Sequence, residues 1–297
     1  MMTKFLLDSG DPEEYRQIQD IARTNGFEIW GATTNPSLIA KKLAGQKATQ
    51  EQAFSVLQKQ IVDEILKIVP GAVSAEVYSD HTTTSDEMIK QGSEIASWDE
   101  RIMVKLPTTL EGFKARTKLR SLGININNTL VFSQEQSFAI LLHEKIMLGL
   151  HGKPKNNFPC FISPFVGRLD DIGINGMDLV KNALKTSRDF FEKDTCWMLE
   201  ASVRNQNHLK LGINMQTELI TAPFKIYNEY FLNPNLETSS NLNLKEIPYW
   251  EVPDEFRNIN TIEDFMILIE TKKLDINHPL TDQGIDKFVS DWKTIII

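Results

Sequence analysis

The chain has 297 residues, 41% hydrophobic and 24% charged, an ordinary globular composition, long enough for one large α/β barrel or two smaller domains. Its net charge of -8 argues against a nucleic-acid or anionic-membrane surface, yet allows a phosphorylated small molecule, which needs only a local cluster of cations. Cys160 and Cys196 without CxxC spacing suit free thiols in a reducing cytosol, the histidines lack HxxxH or HExxH spacing for a metal, and no apolar run is long enough for a signal peptide or a membrane span.

One unit then recurs along the chain: a short apolar run, a helix-start signal and an amphipathic stretch. The first run, Phe5–Asp8, is followed by Asp11 as N-cap, Pro12 at the first helical position and Glu13-Glu14 in the first turn. The second, Glu28–Thr33, is followed by Asn35 and Pro36 in the same two roles. Phe54, Leu57, Ile61, Ile65 and Ile68 then repeat at helical spacing until Pro70-Gly71. The third run, Ala72–Tyr78, precedes Thr84–Glu87. The fourth, Ile102–Pro107, leads to Thr108 and Glu111, spaced as a capping box, and the fifth, Ile124–Val131, leads to Ser133 and Gln136, spaced likewise. Cys160–Val166, Cys196–Val203 and Gln216–Thr221 complete the set, with both cysteines at strand starts as inert small hydrophobes.

Strands alternating with helices imply parallel pairing through helical crossovers, and eight units is the number that closes a (β/α)8 TIM barrel. An open doubly wound sheet is the alternative, but no GxGxxG or GxxxxGK[ST] follows any strand. The whole chain, 1–297, reads as one barrel unit. Residues 231–297 form a C-terminal extension on the barrel or a partner subunit, because roughly 60 residues of this composition make a thin core alone. Two helices are expected there, near Ile262–Lys272 and Asp282–Ile296, after an Asn-, Pro- and Ser-rich segment containing Tyr249-Trp250.

Lys105 lies inside the apolar fourth run. An ammonium there must reach water, block a sheet edge, or lose its charge, and a neutral lysine amine attacks carbonyls to form Schiff bases. In a TIM barrel the chemistry gathers at the C-terminal ends of the strands. Asp8, Thr33, Asn35, Glu76, Asn127, Thr129, Ser163, Arg168, Ser202 and Arg204 all fall at or just beyond such ends. Polar groups in apolar strands are costly unless paired or used, so their convergence on one lysine predicts an active site. Taken singly, Asp8 could cap the next helix, Arg168 could pair with Asp170 or Asp171, and the smaller polar residues could satisfy backbone groups.

The segments Ala32–Ser37, Val104–Pro107, Asn127–Ser133, Ile162–Arg168 and Ala201–Asn205 resemble, in order, those of transaldolases. The resemblance runs from Asp8 to about Tyr230. It implies a Schiff-base role for Lys105, hydroxyl acid/base work for Asp8, and proton transfer by Glu76 through a water also held by Thr129. It further implies that Asn35, Asn127 and Ser163, beside Thr33, hold a dihydroxyacetone unit, and that Arg168, Ser202 and Arg204 bind phosphate. No cofactor is implied. The implied partners are phosphorylated sugars of the pentose phosphate pathway and a second copy in a homodimer. The related fructose-6-phosphate aldolases carry glutamine at the place of Glu76 and tyrosine at the place of Phe165, so this chain's residues favour the transferase. A phosphosugar-binding relative without turnover is the remaining alternative. The pattern departs from the family at Tyr78–Asp80, at a long loop expected from His143 to Phe158, at Leu169–Gly173 and at Pro223–Lys225.

Overall fold

In a computed structural model, which describes residues 2–156, 158–235 and 243–297, eight parallel strands close into a barrel in sequence order. They are β1 (Lys4–Asp8), β2 (Ile29–Thr33), β3 (Val73–Glu76), β4 (Ile102–Pro107), β5 (Ile126–Val131), β6 (Cys160–Pro164), β7 (Cys196–Glu200) and β8 (Leu219–Ala222). β8 pairs with β1, Lys4 opposite Leu219, so the open-sheet alternative is excluded. Each expected run holds a strand. Three are shorter at the C-terminal end: β3 stops at Glu76, β6 at Pro164 and β7 at Glu200, and the chain then turns across the mouth.

The capping signals hold at four sites. Asp11, Asn35, Thr84 and Ser133 each accept a backbone N–H at a helix start, with Pro12 and Pro36 in the first turn of their helices. The box expected at Thr108 does not form. Thr109 caps the helix Leu110–Ser121 by accepting from Gly112. Thr108 is buried and instead donates to the Thr129 carbonyl, 2.8 Å away, while Glu111 accepts the Ser85 N–H at 2.8 Å. The helical stretch before β3 contains a π-helical segment, Ala53–Gln58, before regular helix resumes at Lys59–Leu66. The long loop expected from His143 is largely helix: Gln134–His151 is continuous, and the connection to β6 begins only at Gly152.

Leu6, Met103, Phe161, Trp197, Leu199 and Leu219 fill the barrel's lower interior. A larger apolar cluster lies between the strands and the helices. That outer layer holds one dense polar knot. Arg116 and Arg120 both grip Glu144, at 2.7 and 2.9 Å, and Arg116 Nε donates to Asn128 Oδ1 at 2.8 Å. β5 is thus pinned from outside, at the residue between Asn127 and Thr129. Burial and the two arginines push His143, within the knot, well below the ordinary histidine range. Cys160 and Cys196 are register partners with free, buried thiols.

The C-terminal extension lies on the barrel. The helix Ile262–Glu270 packs outside, with Phe265 against Phe113 at 5.3 Å between rings. The helix Pro279–Lys293 runs beside the helix Pro36–Lys42 and β5, at the C-terminal ends of the strands. The Trp250 backbone N–H donates to Gln134 Oε1, and its ring packs edge-on against Phe138. Residues 236–242 of the Asn-rich segment lie outside the described residues. No helix among the described residues is long and apolar enough to cross a membrane.

Glu200, at the end of β7, faces outward against Gly212 and Ile220. Its carboxyl is fully buried and neither oxygen has a hydrogen-bond partner among the described residues. Burial pushes it well above the usual carboxylate value of 4.5. A raised carboxyl pKa means that the folded chain binds more protons than the unfolded one. The stability it supports is therefore full below the unfolded value and falls as pH rises through the folded one, by about 1.4 kcal/mol per pH unit. Glu200→Gln is expected to flatten the pH dependence of stability above pH ~5. Denaturant melts at several pH values check this, and an unchanged slope would mean that Glu200 finds a partner.

Candidate functional site

Alternation along the strands decides which side chains enter the barrel. In β4, Lys105 points inward above Met103 and is 4% exposed. Its Nζ donates to the Thr34 carbonyl at 2.8 Å. It also lies 3.0 Å from Glu76 Oε2, an ion pair not aligned as a hydrogen bond. The two residues are register neighbours on β3 and β4, which sets that distance. Burial pushes the Glu76 carboxyl up, against the pull of the Lys105 charge. Such a carboxyl can exchange a proton with a neighbouring amine at little cost, which a solvated glutamate cannot do as readily.

Asp8 closes β1 and does not cap a helix. Its Oδ1 accepts the Thr33 hydroxyl at 2.7 Å, and Thr33 in turn meets the Thr221 hydroxyl at 2.6 Å. Burial raises the Asp8 pKa, opposed by Lys105 and by the Thr33 hydrogen bond. Two carboxyls thus share one lysine from different directions. Across the mouth, Ser163 donates to Asn127 Oδ1 at 2.6 Å and Asn127 Nδ2 donates to Ser74 at 3.0 Å. This fixes the amide's orientation. Thr129 Oγ1 is buried with no partner among the described residues. Asn35 caps its helix through Oδ1, 3.0 Å from Leu38 N.

These groups line a cavity of 380 Å³ at the C-terminal mouth. Of the twelve residues singled out in the sequence, eleven line it: Asp8, Thr33, Asn35, Lys105, Asn127, Thr129, Ser163, Phe165, Arg168, Ser202 and Arg204. Glu76 stands behind, on the lysine. Phe165 is nearly buried and packs against Phe132, with ring centroids 5.7 Å apart.

The two arginines converge because Gly167 lets the chain after β7 lie against the helix Val166–Asp170. A Cβ there would sit 2.3 Å from both Arg204 Cγ and the Ser202 carbonyl. Ser202 makes the turn in the left-handed region, at φ 60°. The ion pairs considered for Arg168 do not form. Asp171 pairs with Arg204 at 2.9 Å, and Asp170 with His208 at 2.7 Å. Arg168 meets no carboxylate among the described residues and lies between the Phe165 and Phe288 rings, 6.0 and 5.8 Å from their centroids. Burial and Arg204 depress its pKa. A partly buried cation with no carboxylate partner among the described residues, beside a second arginine, is suited to an anion with several acceptor oxygens.

Nine lining residues were not singled out, five of them polar or on the extension: Ser37, Thr221, Lys287, Phe288 and Asp291. Thr221 carries the signal used elsewhere, a hydroxyl at a strand end. Ser37 lies just past β2, inside the segment Ala32–Ser37 already noted, whereas Lys287, Phe288 and Asp291 carry no signal, because their place depends on the extension crossing the mouth. Ser37 bonds Asp291, and Lys287 lies 2.5 Å from the same carboxylate.

The sequence model of the family described as Transaldolase/Fructose-6-phosphate aldolase matches residues 5–296. Proteins named "Probable transaldolase" are similar over nearly their full length. That of Bdellovibrio bacteriovorus is 32% identical, covering 97% of each chain. That of Brucella anthropi is 32% identical over 97% of this chain and 96% of its own. That of Myxococcus xanthus is 30% identical over 98% of this chain and 95% of its own.

Proposed function

The chain belongs to the transaldolase/fructose-6-phosphate aldolase family, and from that premise we propose that it is a transaldolase. It moves a dihydroxyacetone unit from a ketose phosphate, such as fructose 6-phosphate or sedoheptulose 7-phosphate, to an aldose phosphate, such as erythrose 4-phosphate or glyceraldehyde 3-phosphate. The observation that carries this is the buried Lys105 amine, 3.0 Å from a buried glutamate, in a cavity that also holds Asp8 and two arginines. The amine attacks the C2 carbonyl once its proton has passed toward Glu76. Loss of water leaves a protonated imine. Asp8 takes the proton of the C4 hydroxyl, the bond between C3 and C4 breaks, and its electrons move into the imine to give an enamine. The enamine then attacks the acceptor aldehyde, Asp8 returns the proton, and water releases the new ketose. Glu76 and Thr129 handle the protons of imine formation and hydrolysis. Asn35, Asn127 and Ser163 hold the three-carbon unit, and Arg168, Ser202 and Arg204 hold the phosphate.

Borohydride trapping with fructose 6-phosphate, followed by peptide mass spectrometry, tests the imine: a ketose-derived adduct on Lys105 is expected. An intact protein with no adduct would leave a sugar-phosphate binder without turnover.

The choice between transfer and simple cleavage rests on Phe165. Its ring offers no proton, whereas a tyrosine hydroxyl there could direct a water at the enamine carbon. Phe165→Tyr is expected to raise the release of free dihydroxyacetone relative to transfer, and wild type to need an aldose phosphate for fast turnover. Product analysis with fructose 6-phosphate, with and without erythrose 4-phosphate, measures both. Wild type that releases dihydroxyacetone equally fast without acceptor is an aldolase, not a transferase.

A further inference from the structure

β5 does not pair regularly with β6. Asn128 is opposite Ile162 and Val131 opposite Pro164, so Thr129 and Leu130 share the single position of Ser163. This is a β-bulge, a device that re-aims side chains next to functional sites. Leu130 is the extra residue. It stands at φ 58°, in the left-handed region that a branched hydrophobe rarely adopts, and it is fully buried. By alternation Thr129 faces the cavity as Asn127 does, and the bulge that follows turns Val131 away from that face into the outer core.

What holds Leu130 there comes from the far end of the chain. The Thr281 hydroxyl donates to the Leu130 carbonyl at 2.9 Å. Gln136 Nε2 donates to Thr281 Oγ1 at 3.0 Å, while its Oε1 accepts the Phe132 N–H at 2.7 Å. One glutamine therefore ties the chain just after the bulge to the extension. Gly284 lets the helix Pro279–Lys293 come down onto it, since a Cβ there would meet Leu130 Cδ2 at 2.5 Å. On the other side, Thr108 holds the Thr129 carbonyl. The Thr129 backbone is therefore held from the barrel and the Leu130 backbone from the extension, and the hydroxyl left free is Thr129 Oγ1.

We propose that Thr281 is a positioning residue for the reaction: by fixing the left-handed bulge at Leu130 it holds the adjoining Thr129, and so its hydroxyl, in place in the cavity that Lys105 also lines. The extension is then part of the catalytic apparatus and not only a cover for the barrel. This rests on the role given to Thr129 in the proposed transaldolase reaction.

The test is a double-mutant cycle on the full chain. Thr281→Val removes the donor at nearly constant shape and is expected to lower kcat about 10- to 100-fold, the effect of a misplaced group, with KM for the ketose phosphate little changed. Thr281→Ser restores the donor and is expected to restore kcat. Thr129→Val together with Thr281→Val is expected to lose no more than Thr129→Val alone, because Thr281 acts only through Thr129. Additive losses, or a Thr281→Val enzyme with wild-type kcat, overturn the proposal. A crystal structure of Thr281→Val is the readout independent of turnover. Displacement of Leu130 from positive φ and of Thr129 Oγ1 is expected, and an unmoved Thr129 overturns the positioning role even if wild type proves inactive. Absence of a borohydride adduct in wild type counts against the transaldolase reading alone.

Discussion

Lys105→Arg keeps the barrel and loses turnover, by at least about 10⁴-fold in kcat, the scale seen when a covalent nucleophile is removed. The substitution is chosen for what it preserves. Lys105 faces Glu76 at 3.0 Å with both side chains almost fully buried. Removing the cation would leave a buried carboxylate unpaired, at a cost of about 3–5 kcal/mol. Arginine keeps the charge, and the 380 Å³ cavity in front of it accepts the larger head group. What arginine cannot do is lose its proton near neutral pH, so it cannot attack a carbonyl. Thermal melts of the variant are expected close to wild type, and borohydride with fructose 6-phosphate is expected to label wild type only. Turnover within about 100-fold of wild type would end the imine mechanism.

The barrel was legible because its punctuation is local. Asp11-Pro12 and Asn35-Pro36 mark helix starts by chemistry that acts within four residues, and both operate as read. Local signals also misled. Thr108 and Thr109 are adjacent hydroxyls, and the one with the right spacing to Glu111 is not the cap. The distinction lies in Thr108's bond to Thr129, 21 residues away.

Glu76 and Glu200 make the same point for the site. Each ends an apolar strand, but Glu76 shares its face with Ser74, which bonds the inward-facing Asn127. Glu200 shares its face with Met198 and Cys196, while Trp197 and Leu199 fill the interior. Parity along each strand separates the inward carboxyl from the outward one. The bulge at Leu130 had no comparable mark, since no glycine or asparagine occupies the left-handed position. Contacts with Thr281 and Gly284, about 150 residues on, hold it there.

Removing Arg168 is expected to cost more than removing Arg204, although the sequence presents them as a pair. Arg204 is half exposed, with 51% of its side-chain surface open, and already neutralised by Asp171. Its pull on an added anion competes with that carboxylate and with water. Arg168 has no carboxylate partner among the described residues and is held between two phenylalanine rings. A phosphate bound there gains charge-assisted hydrogen bonds in a partly dry site. Arg168→Ala should therefore lower kcat/KM for phosphorylated substrates by about 2–4 kcal/mol, roughly 30- to 1,000-fold, and Arg204→Ala by about 1–2 kcal/mol. Both losses should shrink when glyceraldehyde replaces glyceraldehyde 3-phosphate as acceptor, with fructose 6-phosphate held saturating. A variant that loses equally with both acceptors has lost a structural contact, not a phosphate ligand. If Arg204→Ala proves the more damaging, Asp171 must release it on binding, and the exposed arginine, not the partly buried one, carries the anion.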